Sequence, residues 1–146
     1  MEKVKETVVR MFVSTDQCKW EAVQQCFASK VELDYSSMNG NPAVIMTPSD
    51  ISNAWQSILP GFEFTHHQLG NFMTTSDNEV AHVFCYGTAT HYLKDEGGNV
   101  WTVVGSYDFD LIQESGHWKI SKLKFNFKYQ DGNTSLAKKA IERLKK

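Results

Sequence analysis

Cysteine is scarce in this chain: Cys18, Cys26 and Cys85 are the only three. One of them stays unpaired under any disulfide scheme, and none stands in a Cys-x-x-Cys pair. The simplest expectation is reduced thiols in a cytoplasm. No apolar run approaches the ~20 residues needed to span a bilayer. The amino-terminal stretch MEKVKETVVRMF mixes charges into its apolar positions and has no signal-peptide core. Neither sign of charge dominates. A formal net charge of −2 gives no reason to expect nucleic acid or an anionic membrane surface as a partner. Internal repeats and low-complexity segments are also missing.

What is present fits one domain covering residues 1–146. Hydrophobic residues make up 41% and charged residues 22%, as in a soluble globular protein, and the length suffices for a single sizeable core. Val4, Val8, Met11 and Phe12 predict an amphipathic helix. Ser14 and Gln17 have the spacing of a capping box, which predicts a second helix beginning there, with Trp20, Val23 and Phe27 on its buried stripe. Val31 to Tyr35 alternates as a short strand. After the turn chemistry of Asn39-Gly40-Asn41-Pro42, Thr47 as cap and Pro48 in the first turn mark a third helix. That helix carries Ile51, Ala54, Trp55, Ile58 and Leu59, and Pro60-Gly61 ends it.

The remainder alternates with a period of two. Phe62 to Leu93 reads as two strands joined by a turn at Thr74 to Asn78, and it holds four of the five histidines. His67 shares a face with Thr65, Leu69 and Met73; His91 shares one with Ala81, Val83, Cys85 and Ala89. Both faces are mostly small or apolar, so the two imidazoles are expected to look into one closed, mostly apolar cavity. His66 and His82 fall on the opposite face, and His117 lies in a turn. Trp101 to Leu111 presents Val103, Gly105, Tyr107 and Phe109 on one side. Trp118 to Tyr129 sends Leu123, Phe125, Phe127 and Tyr129 one way and Lys122, Lys124, Asn126 and Lys128 the other. The basic tail, Ser135 to Lys146, reads as a short solvated helix, with Leu136, Ala140, Ile141 and Leu144 as the residues that would close the cone or dock on a neighbouring subunit. The expected fold class is α+β: a single cone-shaped domain with three helices from the amino-terminal half. They pack on a strongly curved, mostly antiparallel sheet of about five strands, whose mouth is a small-molecule cavity.

Three stretches carry a family resemblance. They are Asp16-Gln17-Cys18-Lys19-Trp20 through to Leu33-Asp34-Tyr35, Thr65-His66-His67-Gln68-Leu69-Gly70, and Ala89-Thr90-His91-Tyr92. In these the chain resembles the SnoaL-like branch of the nuclear transport factor 2-like superfamily, and within it the scytalone dehydratases. The resemblance implies a catalytic aspartate at Asp16, paired histidines at His67 and His91, and a carbonyl-polarising tyrosine at Tyr35. Thr15 stands where a second such tyrosine would be. Gly105 and Tyr107 stand where that family has a serine and an asparagine in contact with substrate. A homo-oligomer, dimer or trimer, is implied as well, and neither a metal nor another cofactor is called for.

Dehydration of a β-hydroxy ketone needs a base for the α-proton, an acid for the leaving hydroxyl and a donor for the enolate oxygen. His67 is expected to shuttle the proton, with His91 and Asp16 orienting it and Tyr35 donating to the carbonyl. Met38, Trp55, Tyr107, Leu123 and Phe125 are the expected wall around a small apolar hydroxy-ketone or polyketide-like ring. A proton shift without elimination would use the same parts. Each residue also has a plainer reading: Asp16 as a helix cap, His67 as a core histidine bonded to backbone, Tyr35 as a wall residue with its hydroxyl at the surface. The alternative is therefore a non-catalytic small-molecule-binding or dimerisation module. A two-histidine, one-carboxylate metal site comes third, because no His-x-His or His-Glu-x-x-His spacing supports it.

Overall fold

The computed structural model describes residues 2–146. Helix α1 (Glu2–Asp16) lays Val4, Val8, Met11 and Phe12, all almost fully buried, on the inner face of a six-stranded sheet. It runs straight through the expected break at Ser14. Buried Ser14 and Thr15 face the core, and Thr15 Oγ1 turns back to donate to the Met11 carbonyl at 2.7 Å, a bond that lets a hydroxyl sit inside a helix. The stop comes after Asp16. Cys18 takes a left-handed conformation (φ 55°), Lys19 N–H donates to the Ser14 carbonyl and Cys18 N–H to the Thr15 carbonyl, which together close the end as a Schellman motif. The Ser14/Gln17 pattern is therefore a helix terminus rather than a capping box, and α2 (Trp20–Gln25) has no side-chain cap.

Strand β1 (Phe27–Asp34) leads into a single turn of helix, α3 (Ser36–Asn39), closed by Gly40 at φ 76°. Strand β2 (Val44–Met46) pairs antiparallel with β1. It is the strand beyond the five expected, and its three residues are too few to read from alternation. Helix α4 (Pro48–Gln56) begins as the sequence predicts: Thr47 accepts from Asp50 N–H while the Asp50 carboxylate accepts from Thr47 N–H. The helix stops at Gln56, short of the expected Ile58 and Leu59, and Pro60-Gly61 fall in a separate 3-10 turn over Leu59–Gly61.

Four long strands follow: β3 (Phe64–Ser76), β4 (Val80–Tyr92), β5 (Val100–Glu114) and β6 (His117–Gly132). The order across the sheet is β2-β1-β6-β5-β4-β3, antiparallel throughout except where β1 runs parallel to β6. Two bulges change which side chains face inward. Asn71 (φ 53°) shifts the β3 register between Gly70 and Met73, so Met73 turns out to solvent, 64% exposed, and Phe72 packs towards the core instead. The register between β5 and β6 shifts where Gly105 faces Phe127 and Val104 faces Tyr129, leaving Tyr129 on the outer face. A bulge reverses the phase of everything beyond it, which is why Met73 and Tyr129 do not share the inner wall that plain alternation predicts. Helix α5 (Leu136–Leu144) is not a free solvated tail. Leu136 and Ala140 are buried with Phe62 and Leu93, Lys139 pairs with Asp95 at 2.6 Å, and Arg143 donates to the Gly61 carbonyl.

Candidate functional site

The inner face of β3 carries Thr65 and His67, and β4 sets His91 opposite Thr65 and Ala89 opposite His67. The two imidazoles are thus diagonal neighbours across one small alanine, 6.3 Å apart between ring centres and nearly perpendicular. Asp16 arrives from the end of α1 directly behind His67. Its carboxylate accepts three hydrogen bonds: His67 Nδ1 at 2.7 Å, His67 backbone N–H at 2.7 Å and Thr65 Oγ1 at 3.0 Å. Burial alone would raise this carboxyl, but the bonds to His67, its charge and the bond to Thr65 outweigh that and hold it below the usual range. A carboxylate can only accept, so His67 carries its proton on Nδ1 and leaves Nε2 as the free nitrogen. Phe12 stacks on the ring at 4.8 Å and 19°, which fixes its plane.

His91 is held differently. Its Nδ1 donates to the Trp101 carbonyl at 3.0 Å, its ring stacks on Trp101 at 4.3 Å, and Phe62 packs against it at 4.9 Å. Burial pushes its pKa down to about 4 against the pull of the Trp101 carbonyl, with the neighbouring His67 lowering it further and Asp16 raising it. His91 is a neutral imidazole at ordinary pH, also with Nε2 free.

Both rings line a cavity of about 230 Å³, the liquid volume of roughly eight waters, which suits a ligand of one or two small rings. Its buried floor is Phe12, Phe62, Ala89, Val103, Tyr107 and Phe125; half-exposed Met38, Trp55, Ile58, Leu59 and Ala137 form the rim. Tyr35, between β1 and α3, closes one side. Among the described residues no lysine or arginine lines it. Of the residues expected here, His67, His91, Tyr35, Met38, Trp55, Tyr107 and Phe125 meet at the cavity. Asp16 sits behind His67 rather than in the wall. Leu123 does not reach the cavity: it is fully buried in the core cluster, because its register position opposite Phe109 lies further down β6. Thr15 lines the cavity but keeps its hydroxyl on the Met11 carbonyl. Phe12, Phe62 and Ala137 went unrecognised; their apolar spacing says only that they are buried, not that a void lies beside them. Among the described residues no group of three or more histidine, cysteine or carboxylate side chains converges as metal ligands would.

A strongly curved mixed sheet, closed by amino-terminal helices around an apolar pocket, is the nuclear transport factor 2-like cone. Residues 1–124 match the SnoaL-like domain, and the chain belongs to that family. A protein from Kribbella flavida is similar over 94% of this chain and 95% of its own, at 25% identity and a TM-score of 0.88. A proposed scytalone dehydratase from Novosphingobium aromaticivorans covers 91% of this chain and 87% of its own, at 17% identity and a TM-score of 0.79. A hexachlorocyclohexane dehydrochlorinase of type 3 from Novosphingobium barchaimii covers 91% and 89%, at 12% identity and a TM-score of 0.75. The last two likenesses establish shared fold alone. No curated protein matches the chain. No helix among the described residues is long and apolar enough to cross a membrane.

Proposed function

We propose that the chain is a metal-free lyase acting by proton transfer on a small, uncharged, largely apolar hydroxy-ketone. The observation that carries this reading is the Asp16–His67 pair, its free imidazole nitrogen turned to an apolar cavity that also holds a neutral His91. His67 Nε2 removes the proton beside the carbonyl, and Asp16 stabilises the imidazolium that forms. Tyr35 donates to the carbonyl oxygen as it gains negative charge. The imidazolium then returns its proton to the leaving hydroxyl. One C–H and one C–O bond break, a C=C bond forms, and water departs. An isomerisation would end with the proton returned to carbon instead. The cone works as a homo-oligomer in the cytoplasm.

A non-catalytic binding module is the second reading. It draws support from Thr15, whose hydroxyl is engaged with its own helix and offers a ligand nothing.

The test uses 3-hydroxy-1-tetralone, whose dehydration yields 1-naphthol and is read by ultraviolet absorbance and fluorescence. The native protein is expected to accelerate naphthol formation. His67→Asn should lower the rate by about 100-fold or more, the usual worth of a positioned acid–base group, with the melting temperature nearly unchanged. A His67→Asn protein as active as its parent removes the reading, and so does native protein that binds the ketone without turnover.

A further inference from the structure

A second concavity lies between the first turns of α1 and the β5–β6 hairpin. The hairpin turns on Ser115 and Gly116, both left-handed (φ 55° and 80°), the conformation a two-residue type I′ turn requires. That turn sets Gln113 opposite Trp118. Lys3, Thr7 and Arg10 share one stripe of α1 by their i, i+4, i+7 spacing, beside the stripe that enters the core. Together these residues line a groove of about 620 Å³, a size within the range of small-molecule sites. It shares no lining residue with the apolar cavity. Lys3 and Asp16 are separated by about 20 Å of helix, so the groove and the histidine pair are distinct places.

Positive charge is concentrated here. Lys3, Arg10 and Lys119 line the groove against a single carboxylate, Glu6, in a chain whose formal net charge is −2. Arg10 gives Glu6 one hydrogen bond at 2.9 Å, and 52% of its side chain stays exposed with the other guanidinium donors. Lys3 has no ion-pair partner among the described residues. Lys119 donates to the Gln25 carbonyl at the end of α2, which holds the ammonium in place and leaves its charge unneutralised. Arg10 and Lys119 act on one spot: burial raises the Cys26 thiol, and both cations oppose that rise. Glu114, next to the turn, is engaged by the Ser29 backbone N–H and hydroxyl and does not line the groove. Half-buried Trp118 both packs against the core and lines the groove. Its indole N–H, like the side-chain amides of Gln25 and Gln113, bonds no described residue.

A lining of fixed cations and free N–H donors, with one aromatic face, selects for a particular ligand. Arginine's planar fork and lysine's point charge are the side chains that recognise phosphate. A phosphate dianion can answer several cations at once, and an indole offers a flat ring something to pack on. We propose that the groove is a second binding site, for a small phosphate ester bearing a planar ring, the chemical class that includes nucleotides. Arg10, Lys3 and Lys119 hold the phosphate, and Trp118 packs against the ring. The site does not depend on the lyase reading and needs nothing from His67.

Calorimetry in low-salt buffer with adenosine 5′-diphosphate (ADP) and with adenosine tests this. Native protein should bind ADP about tenfold or more tightly than adenosine, which lacks the phosphates, and added salt should weaken the binding. Arg10→Gln should weaken ADP binding about tenfold, the worth of a charge-assisted hydrogen bond, and Lys3→Gln by a smaller factor. Both side chains are exposed, so the melting temperatures should stay nearly unchanged. In nitrogen-15 spectra the Trp118 indole resonance, assigned by its loss in Trp118→Phe, should move when ADP is added. Trp55 and Trp101, which line the apolar cavity, should keep theirs. Movement of Trp55 or Trp101 instead overturns the proposal. So does undiminished ADP affinity in Arg10→Gln and Lys3→Gln, or native protein that takes up no ADP at millimolar concentration. His67→Asn should bind ADP as the native protein does, so a protein that binds ADP yet dehydrates no ketone keeps this site and loses the lyase.

Discussion

Asp16 is an acidic residue in the last turn of α1, the end of a helix where the macrodipole disfavours negative charge. A structural cap would sit at the opposite end. What keeps it ionised is the trio of donors from Thr65 and His67, and a residue that breaks a local rule while satisfying a tertiary one is characteristic of a functional position. His91 is the complementary case, an imidazole made neutral by its surroundings. The two shifts give stability a defined pH dependence. Below pH 6.5 the unfolded chain takes up a proton at His91 that the folded chain refuses until about pH 4. Stability is therefore fully present above 6.5 and lost as the pH falls through that window. At ~1.4 kcal/mol per pH unit the loss between pH 7 and pH 5 is about 2 kcal/mol. Asp16, lowered from 3.8, adds a further loss of the same sign in more acidic solution. Urea unfolding of the native protein and of His91→Gln at pH 7 and 5 checks this; the variant should lose most of the slope.

Single elements matter here chiefly through the places where they depart from regularity. The β3 bulge at Asn71 and the Schellman turn at Cys18 decide where the faces of β3 and the end of α1 point. Gly87 and Gly105 face each other across β4 and β5 and make a bare patch on the inner wall. A Cβ on Gly105 would lie 2.2 Å from the Asn126 carbonyl oxygen and 2.7 Å from the Phe125 ring. A Cβ on Gly87 would lie 2.2 Å from Tyr107 Cε2. Gly87→Ala should destabilise the protein by about 1–3 kcal/mol, the ordinary cost of overpacking. Gly70→Ala is the control, since a Cβ there meets nothing within 4 Å, and it should fall within about 0.5 kcal/mol of the parent. Chemical denaturation of the two variants side by side tests the pair.

The whole molecule leaves one face unfinished. Phe64 (71% exposed), Met73 (64%), Tyr129 (56%), Val80 (52%) and Tyr86 (45%) all project from the outer side of the β3–β6 sheet. His82, clasped by Asp110 at 2.9 Å and Asp108 at 3.1 Å, lies among them. Exposed apolar residues grouped on one face are the composition of a contact surface, and we propose that a symmetric assembly of identical chains would bury it. Sedimentation at micromolar concentration should give a homo-oligomer. Phe64→Lys combined with Met73→Lys should shift it towards the monomer while preserving binding of 3-hydroxy-1-tetralone. A native monomer over that range would leave the exposed face without this explanation.

The amino-acid sequence by itself determined what depends on neighbours along the chain. The alternation of β4 and β5 settled which residues face inward, the Thr47-Pro48-Ser49-Asp50 pattern settled the start of α4, and the spacing around Asp16, His67 and His91 pointed to one cavity. Short-range periodicity carries that information because side-chain direction repeats with backbone geometry. Tertiary structure alone decided the rest. It turned Met73 and Tyr129 outward through bulges, made Ser14–Asp16 the end of a helix rather than the beginning of one, drew Leu123 into the core, and folded α5 against the rim. These outcomes depend on what packs against each residue from distant parts of the chain, and burial against a distant partner outweighs the few tenths of a kcal/mol by which local preferences differ.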